Sequence, residues 1–214
     1  MKVGIIGYGF VGKALHNGLN PKTEVLLIDP KLNTSVNDLI NFAPEIIFVC
    51  VPSPMNNNGT QDLAILNKVF GELRSLQNDP VIILKSTVLP DALLTLSSNF
   101  PNLVFNPEFL REKHADEDFI RSNLIVFGGS IEHVNKASHF YKNHTKCISK
   151  EHVKTDLITA SLLKYTINSF LATKVTFFNE INNLFNLSKA DDSWENFVSF
   201  LSKDERIGNS HMSV

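Results

Sequence analysis

A chain of 214 residues has room for one well-buried domain plus an appendage, and less comfortably for two full domains. Its 43% hydrophobic and 20% charged residues exclude an intrinsically disordered polymer. A formal net charge of −2, with Arg74, Arg111, Arg121 and Arg206 scattered along the chain, offers no electrostatic footprint for nucleic acid or for an anionic membrane surface.

The N-terminal MKVGIIGYGF is a short apolar run broken by glycines, which suits a first strand better than a signal peptide. No segment approaches the roughly 20 apolar residues of a membrane helix. Cys50 and Cys147 form neither a metal spacing nor a disulfide framework, so the reading assigns a cytoplasmic protein without a metal.

In chain order, the apolar runs KVGIIG, EVLLID, EIIFVCVP, PVIILKS, NLVFNPE and NLIVFGG recur between turn signals. They lack clean polar alternation, as strands buried on both faces of a parallel sheet do. Helical patterns fit between several of them, at Val11–Leu19, Leu63–Leu76 and Asp91–Ser98. The link from Asp29 to Glu45 has room only for a short helix around Val36–Phe42. Strands alternating with helices predict a doubly wound α/β sheet.

All nine prolines lie at or before Pro107, and neither glycine nor proline occurs between Gly129 and Gly208. The later part therefore reads as long helices. TDLITASLLKYTINSFLATKVTFFNEINNLF repeats apolar residues at helical spacing, and about 30 residues make a rod of roughly 45 Å. Its phenylalanines, including Phe170, Phe177 and Phe178, read as packing residues set against more than one partner. A second helix is expected at Asp191–Leu201, with Ser188 and the Asp191–Asp192 pair suited to its first turn. The implied organisation is a Rossmann-like domain over 1–150, a long connector helix over 151–187, and the start of a helical region over 188–214.

GYGFVG, comprising Gly7, Gly9, Phe10, Val11 and Gly12, fits the dinucleotide fingerprint between a strand and a helix. Gly7 permits the turn, Gly9 lets backbone approach a pyrophosphate, and Gly12 allows close helix–strand packing. Asp29 closes the second strand, where a carboxylate accepts from the adenosine ribose hydroxyls and repels a 2′-phosphate, favouring NAD over NADP.

Ligands of open α/β sheets collect at the carboxyl ends of strands, which here read VPSP, KSTV and NPEFLRE. Ser53, Ser86 and Thr87 can hydrogen-bond beside the nicotinamide half of the cofactor. Glu108 and Glu112 are spaced i, i+4, so one helical turn puts both carboxylates on one side. That pair suits proton transfer and water activation, or else simply an acidic first turn complementing a helix dipole. Lys164 and Asn168 repeat the spacing on the long helix. They can stabilise a developing oxyanion, or they can belong to a solvated face.

Taken together and in order, GYGFVG, the Asp29 strand end, VPSP, KSTV, NPEFLRE, the LLKYTINSFLATKVTFFNEI helix and ERIGN resemble the UDP-glucose/GDP-mannose dehydrogenase family, nearest its short forms. The resemblance implies NAD-dependent oxidation of a nucleotide sugar, UDP-glucose favoured, at its C6 alcohol. It places Ser53, Thr87 and Glu112 at NAD and makes Glu108 the acid–base residue. Lys164 and Asn168 become the pair that binds substrate and stabilises oxyanions, and Arg206 the arginine that reaches a neighbouring subunit's sugar. It also implies a homodimer around the connector helix.

Ser53 in place of threonine, Asp91 in place of glycine, and Lys113 after NPEFLRE depart from the family pattern. Family chemistry uses a cysteine thiolate that lies well beyond the arginine of ERIGN, whereas Arg206 is followed only by residues 207–214. Neither Cys50 nor Cys147 matches that cysteine. The expectation is therefore a chain cut before its nucleophile and without the sugar-binding C-terminal domain, which a separate chain could supply, and inactive alone. The alternatives are a non-catalytic NAD-binding module or a two-electron dehydrogenase of the hydroxyacid type.

Overall fold

The computed structural model describes residues 1–212. The elements in order are β1 (Lys2–Ile6), α1 (Phe10–Asn17), β2 (Glu24–Ile28), α2 (Asp38–Phe42), β3 (Ile46–Val49), α3 (Ala64–Leu73), β4 (Val81–Leu84), α4 (Pro90–Asn99) and β5 (Leu103–Phe105). They continue with α5 (Ala115–Arg121), β6 (Val126–Gly129), α6 (Ile131–His144), β7 (Val153–Thr155), α7 (Leu157–Ser188) and α8 (Trp194–Leu201). Short 3₁₀ turns lie at Pro30–Leu32 and Glu112–His114. The chain divides into two compact units, Met1–Lys164 and Tyr165–Val214.

The first unit holds a sheet of order β2-β1-β3-β4-β5-β6-β7. All neighbours are parallel except β5 and β6, which run antiparallel. The chain goes from β1 outward to β2, then returns past β1 to β3, so the winding direction reverses between β1 and β3. A doubly wound sheet of this order opens its ligand crevice at that switch point.

The absence of alternation in the strand sequences has a direct cause. Ile46 and Phe48 face one core with Ala14, Leu15, Phe119 and Phe140. Ile47 and Val49 face another with Leu39, Leu66, Phe70 and Leu93. Both faces are covered, so both sets of side chains are apolar. β7 was not expected, because VKT is short and carries a lysine. It forms an edge through backbone pairing of Val153–Thr155 with Val126–Gly128.

β7 also brings His152 under the sheet edge. Its Nδ1 lies 2.9 Å from Ser138 Oγ, and its ring stands edge-on to Phe127 at 5.2 Å. Nε2 is buried and has no hydrogen-bond partner among the described residues. Burial, reinforced by Lys142, Lys154 and Lys150, pushes this imidazole from 6.5 to about 4. A depressed histidine stabilises the fold while neutral; that contribution is complete above 6.5 and fades as the pH falls toward about 4. His152→Phe should therefore flatten the acid limb of a stability-versus-pH curve measured by urea denaturation. An unchanged acid limb would reject the assignment.

In the second unit, the remainder of α7 and α8 carry an aromatic cluster of Phe185, Trp194 and Phe197, with ring centroids 5.0 to 5.8 Å apart. α8 starts three residues later than expected. Its N-cap is Ser193, whose Oγ accepts from Asn196 N at 3.1 Å, and not Ser188. Asp192 supports this turn by accepting from Ser193 N and Asn196 Nδ2. The phenylalanines of α7 do not all serve the core: Phe178 is buried, but Phe170 and Phe177 are 66% and 56% exposed.

Candidate functional site

The glycine turn is built against its neighbours in three different ways. Gly7 has φ +91°, and a Cβ there would lie 2.8 Å from the Cys50 carbonyl oxygen, so only glycine fits. At Gly12 an added Cβ would sit 2.1 Å from the Gly7 carbonyl oxygen, which is how α1 comes close to β1. At Gly9 an added Cβ would meet nothing within 4 Å. Gly9 also stands at the N-cap of α1, which has no side-chain cap and no acidic residue in its first turn. Open space beside uncapped helix N–H groups is what an approaching phosphate requires.

Asp29 ties the end of β2 to this turn. Its Oδ2 accepts from Tyr8 N at 2.8 Å and its Oδ1 from Lys31 N at 2.9 Å, while Thr34 Oγ1 accepts from Asp29 N. The Tyr8 N–H is the main influence holding the carboxyl below its usual range. Asp29 borders a cleft of about 410 Å³ shared with Gly7, Ser35, Ile65 and Lys68.

Across the turn lies a second cleft of about 270 Å³, lined by Gly9, Phe10, Val11, residues 50–53, residues 85–87 and Glu108. Its polar groups are fixed by the strand ends. Ser53 Oγ and Gln61 Nε2 both donate to the Thr87 carbonyl, at 2.7 and 2.6 Å. Ser86 Oγ donates to the Val51 carbonyl. Cys50 borders the same cleft, but burial pushes its thiol up to about 12, and burial also raises Cys147. Both are neutral thiols in the fold.

Glu108 and Glu112 do not share a helical turn, contrary to the spacing argument. Residues 106–111 form no helix. Glu108 Oε2 accepts from Leu110 N at 2.6 Å, so the side chain takes an amide that a helix would pair with backbone. Glu112 is exposed, opens the next 3₁₀ turn, and borders a separate cleft with Phe10, Lys13 and Asn17.

What Glu108 meets instead is Lys164. The lysine side chain is 5% exposed, its Nζ lies 3.3 Å from Glu108 Oε1, and it donates also to the Glu108 carbonyl. It lies over the Phe109 ring at 5.1 Å. Thus the solvated-face alternative fails for Lys164. Asn168, in the second unit, is exposed. Arg206, also there, is exposed and held by Asp204 at 2.6 Å.

One group escaped the sequence reading. Lys85 is 4% exposed and its ammonium donates to Asn106 Oδ1 at 2.8 Å and to the Tyr141 hydroxyl at 3.2 Å. Tyr141 in turn donates to Asn106 Oδ1, and Asn106 Nδ2 donates to the Val126 carbonyl. Burial pushes the Lys85 pKa down. The available signal was a lysine ending the otherwise apolar run VIILK.

Among the described residues no His, Cys, Asp and Glu cluster could hold a metal ion, and no helix is long and apolar enough to cross a membrane. Residues 30–145 match the UDP-glucose/GDP-mannose dehydrogenase family, NAD binding domain, and residues 158–213 match that family's central domain. UDP-glucose 6-dehydrogenase of Rickettsia felis is 34% identical over 187 residues, covering 83% of this chain and 40% of that protein. UDP-glucose 6-dehydrogenase TuaD of Bacillus subtilis is 31% identical over 211 residues, covering 92% of this chain and 44% of that protein. The chain thus spans about two fifths of the length of these curated relatives. In fold it is similar to a UDP-glucose dehydrogenase from Pyrobaculum islandicum, with TM-score 0.80 and 22% identity over 99% of this chain and 58% of that one. The chain belongs to the UDP-glucose/GDP-mannose dehydrogenase family and carries its NAD binding domain.

Proposed function

We propose that this chain forms the NAD-binding and proton-transferring part of a nucleotide-sugar 6-dehydrogenase of the UDP-glucose type. The observation that carries the reading is the Glu108–Lys164 pair, with the lysine buried and the glutamate partly so, beside the cleft that runs up to Gly9. Asp29 would hold the adenosine ribose, the Gly7–Gly12 turn the pyrophosphate, and Ser53, Ser86 and Thr87 the nicotinamide half, with Glu112 on the outer side near Phe10. The open space at Gly9 and the ionised Asp29 fit such a group. Bound NAD supplies the hydride acceptor.

The residues of the chain manage protons and charge. Glu108 would accept a proton as a sugar alcohol is oxidised and, once that proton has passed to solvent, accept another from the water that hydrolyses a later intermediate. Lys164 offsets negative charge developing on the substrate oxygen; Asn168 would be a further substrate contact, and Arg206 would reach the sugar held by a neighbouring subunit. Cys50, half-buried at the cleft, and Cys147, buried, are neutral thiols and poor nucleophiles. On this reading 1–150 is the cofactor domain, 151–187 the connector and 188–214 the start of a helical region. Phe170, Phe177 and Leu184, exposed and seven residues apart on α7, support a homodimer through that helix.

Calorimetric titration of the chain tests the cofactor reading, which expects NAD to bind at least about tenfold more tightly than NADP because Asp29 repels a 2′-phosphate. Equal affinities, or none, would overturn it. UDP-glucose added with NAD, followed by NADH absorbance, tests the substrate. Sedimentation tests the dimer, which should weaken when Phe177→Glu places a charge on the exposed face.

A further inference from the structure

The clefts on either side of the glycine turn divide a dinucleotide between them. A carboxylate at the end of β2 takes the adenosine ribose, so the nicotinamide falls to the cleft of Ser53, Thr87 and Glu108. The oxidised ring carries a positive charge and the reduced ring carries none. The local charge of that cleft therefore decides which redox form is held more tightly.

Glu108 and Lys85 are the acidic and the basic residue bordering the cleft, and the Lys85 ammonium itself lies against Asn106 and Tyr141 behind it. Glu108 is already neutralised by Lys164, and its second oxygen is occupied by Leu110 N. Lys85 has no ion-pair partner among the described residues. Its ammonium is buried, and its donors are spent on neutral oxygens: the Asn106 side chain, the Tyr141 hydroxyl and, at 3.4 Å, the Asn106 carbonyl. A purely structural bolt between Asn106 and Tyr141 could be made by a neutral amide without burying a charge, whose desolvation is costly. Burial acts against the charged form and pushes the Lys85 pKa down, so an ammonium kept here without a counter-ion is what requires a reason.

We propose that Lys85 is a positioning and tuning residue whose unpaired ammonium beneath the nicotinamide cleft disfavours the cationic oxidised cofactor and favours the reduced one. This biases the site toward hydride uptake, and it rests on the NAD reading of the cleft. Electrostatics at an effective dielectric of about 20 gives roughly tenfold discrimination from a unit charge about 12 Å away. A nearer charge gives more.

The test uses the whole chain with three ligands: NAD⁺, NADH and ADP-ribose, which lacks the nicotinamide. Lys85→Met should shift the ratio of NAD⁺ to NADH affinity by about tenfold toward NAD⁺, with ADP-ribose affinity unchanged. Lys85→Arg should retain the wild-type ratio. Lys85→Gln, which can still bond Asn106 and Tyr141, should shift like the methionine variant and covers the case in which methionine impairs folding. A ratio unmoved in the neutral variants, or an equal loss for all three ligands, would overturn the proposal and leave Lys85 a structural bolt. Failure of the wild type to bind ADP-ribose would instead overturn the cofactor reading on which it stands.

Discussion

Gly9→Val is expected to weaken NAD binding by about a hundredfold, roughly 2.7 kcal/mol, while the chain stays folded. The backbone at Gly9 has φ −74° and ψ −165°, an extended conformation at the edge of the β region with no positive φ that would demand glycine. Apart from its immediate chain neighbours, no atom lies within 4 Å of the position its Cβ would take, so the added branch enters open space at its root. Loss of glycine at an N-cap costs about 1 kcal/mol or less. The blocked space is the space a pyrophosphate needs. Gly12→Val supplies the contrast, because its Cβ would lie 2.1 Å from the Gly7 carbonyl oxygen. Neither backbone can yield without separating α1 from β1. That variant should lose upward of about 3 kcal/mol of stability, at the severe end of overpacking. Calorimetric titration and denaturation of both variants separate the two roles. Unfolding of Gly9→Val, or unimpaired NAD binding by it, would refute the assignment.

Lys164→Met should cost about 2–4 kcal/mol of stability, somewhat less than the full cost of breaking a buried pair because Glu108 retains 15% exposure. The variant leaves the Glu108 carboxylate without its counter-charge and the Glu108 carbonyl without its donor. Glu108→Gln should cost less. The ammonium then still donates to the residue 108 carbonyl and still lies over the Phe109 ring. The double variant should be more stable than the sum of the two single losses implies, since neither charge is stranded. Strict additivity in urea denaturation would show that the two side chains do not act as a pair.

The strands were readable in advance because a sheet covered on both faces needs apolar residues at every position. Ile46 through Val49 show that in both composition and burial. The glycine turn was equally readable, since its requirements are local: a positive φ at Gly7 and a close backbone approach at Gly12. β7 was not, because Val153–Thr155 has no apolar signature and owes its form to backbone pairing with β6. The start of α8 moved to Ser193 because several residues there could cap a helix, and only one does.

The site divides along the same line. Spacing alone treated Glu108 with Glu112, and Lys164 with Asn168, as equivalent pairs. Folding broke the first, leaving Glu108 against Lys164 and Glu112 exposed, whereas Lys164 and Asn168 keep their spacing on α7 and differ only in burial, the lysine buried and the asparagine exposed. Chain-local physics therefore settled the α/β architecture, the glycine turn and the Asp29 strand end from residue order alone. Contacts between residues far apart in the chain settled which polar groups leave water and which partner each one finds there. Lys85 is the plainest case: its charge was visible in the sequence, but its burial without a counter-ion depends on Asn106 and Tyr141, 21 and 56 residues away. Desolvation is a property of the packed neighbourhood, and residue order does not contain it.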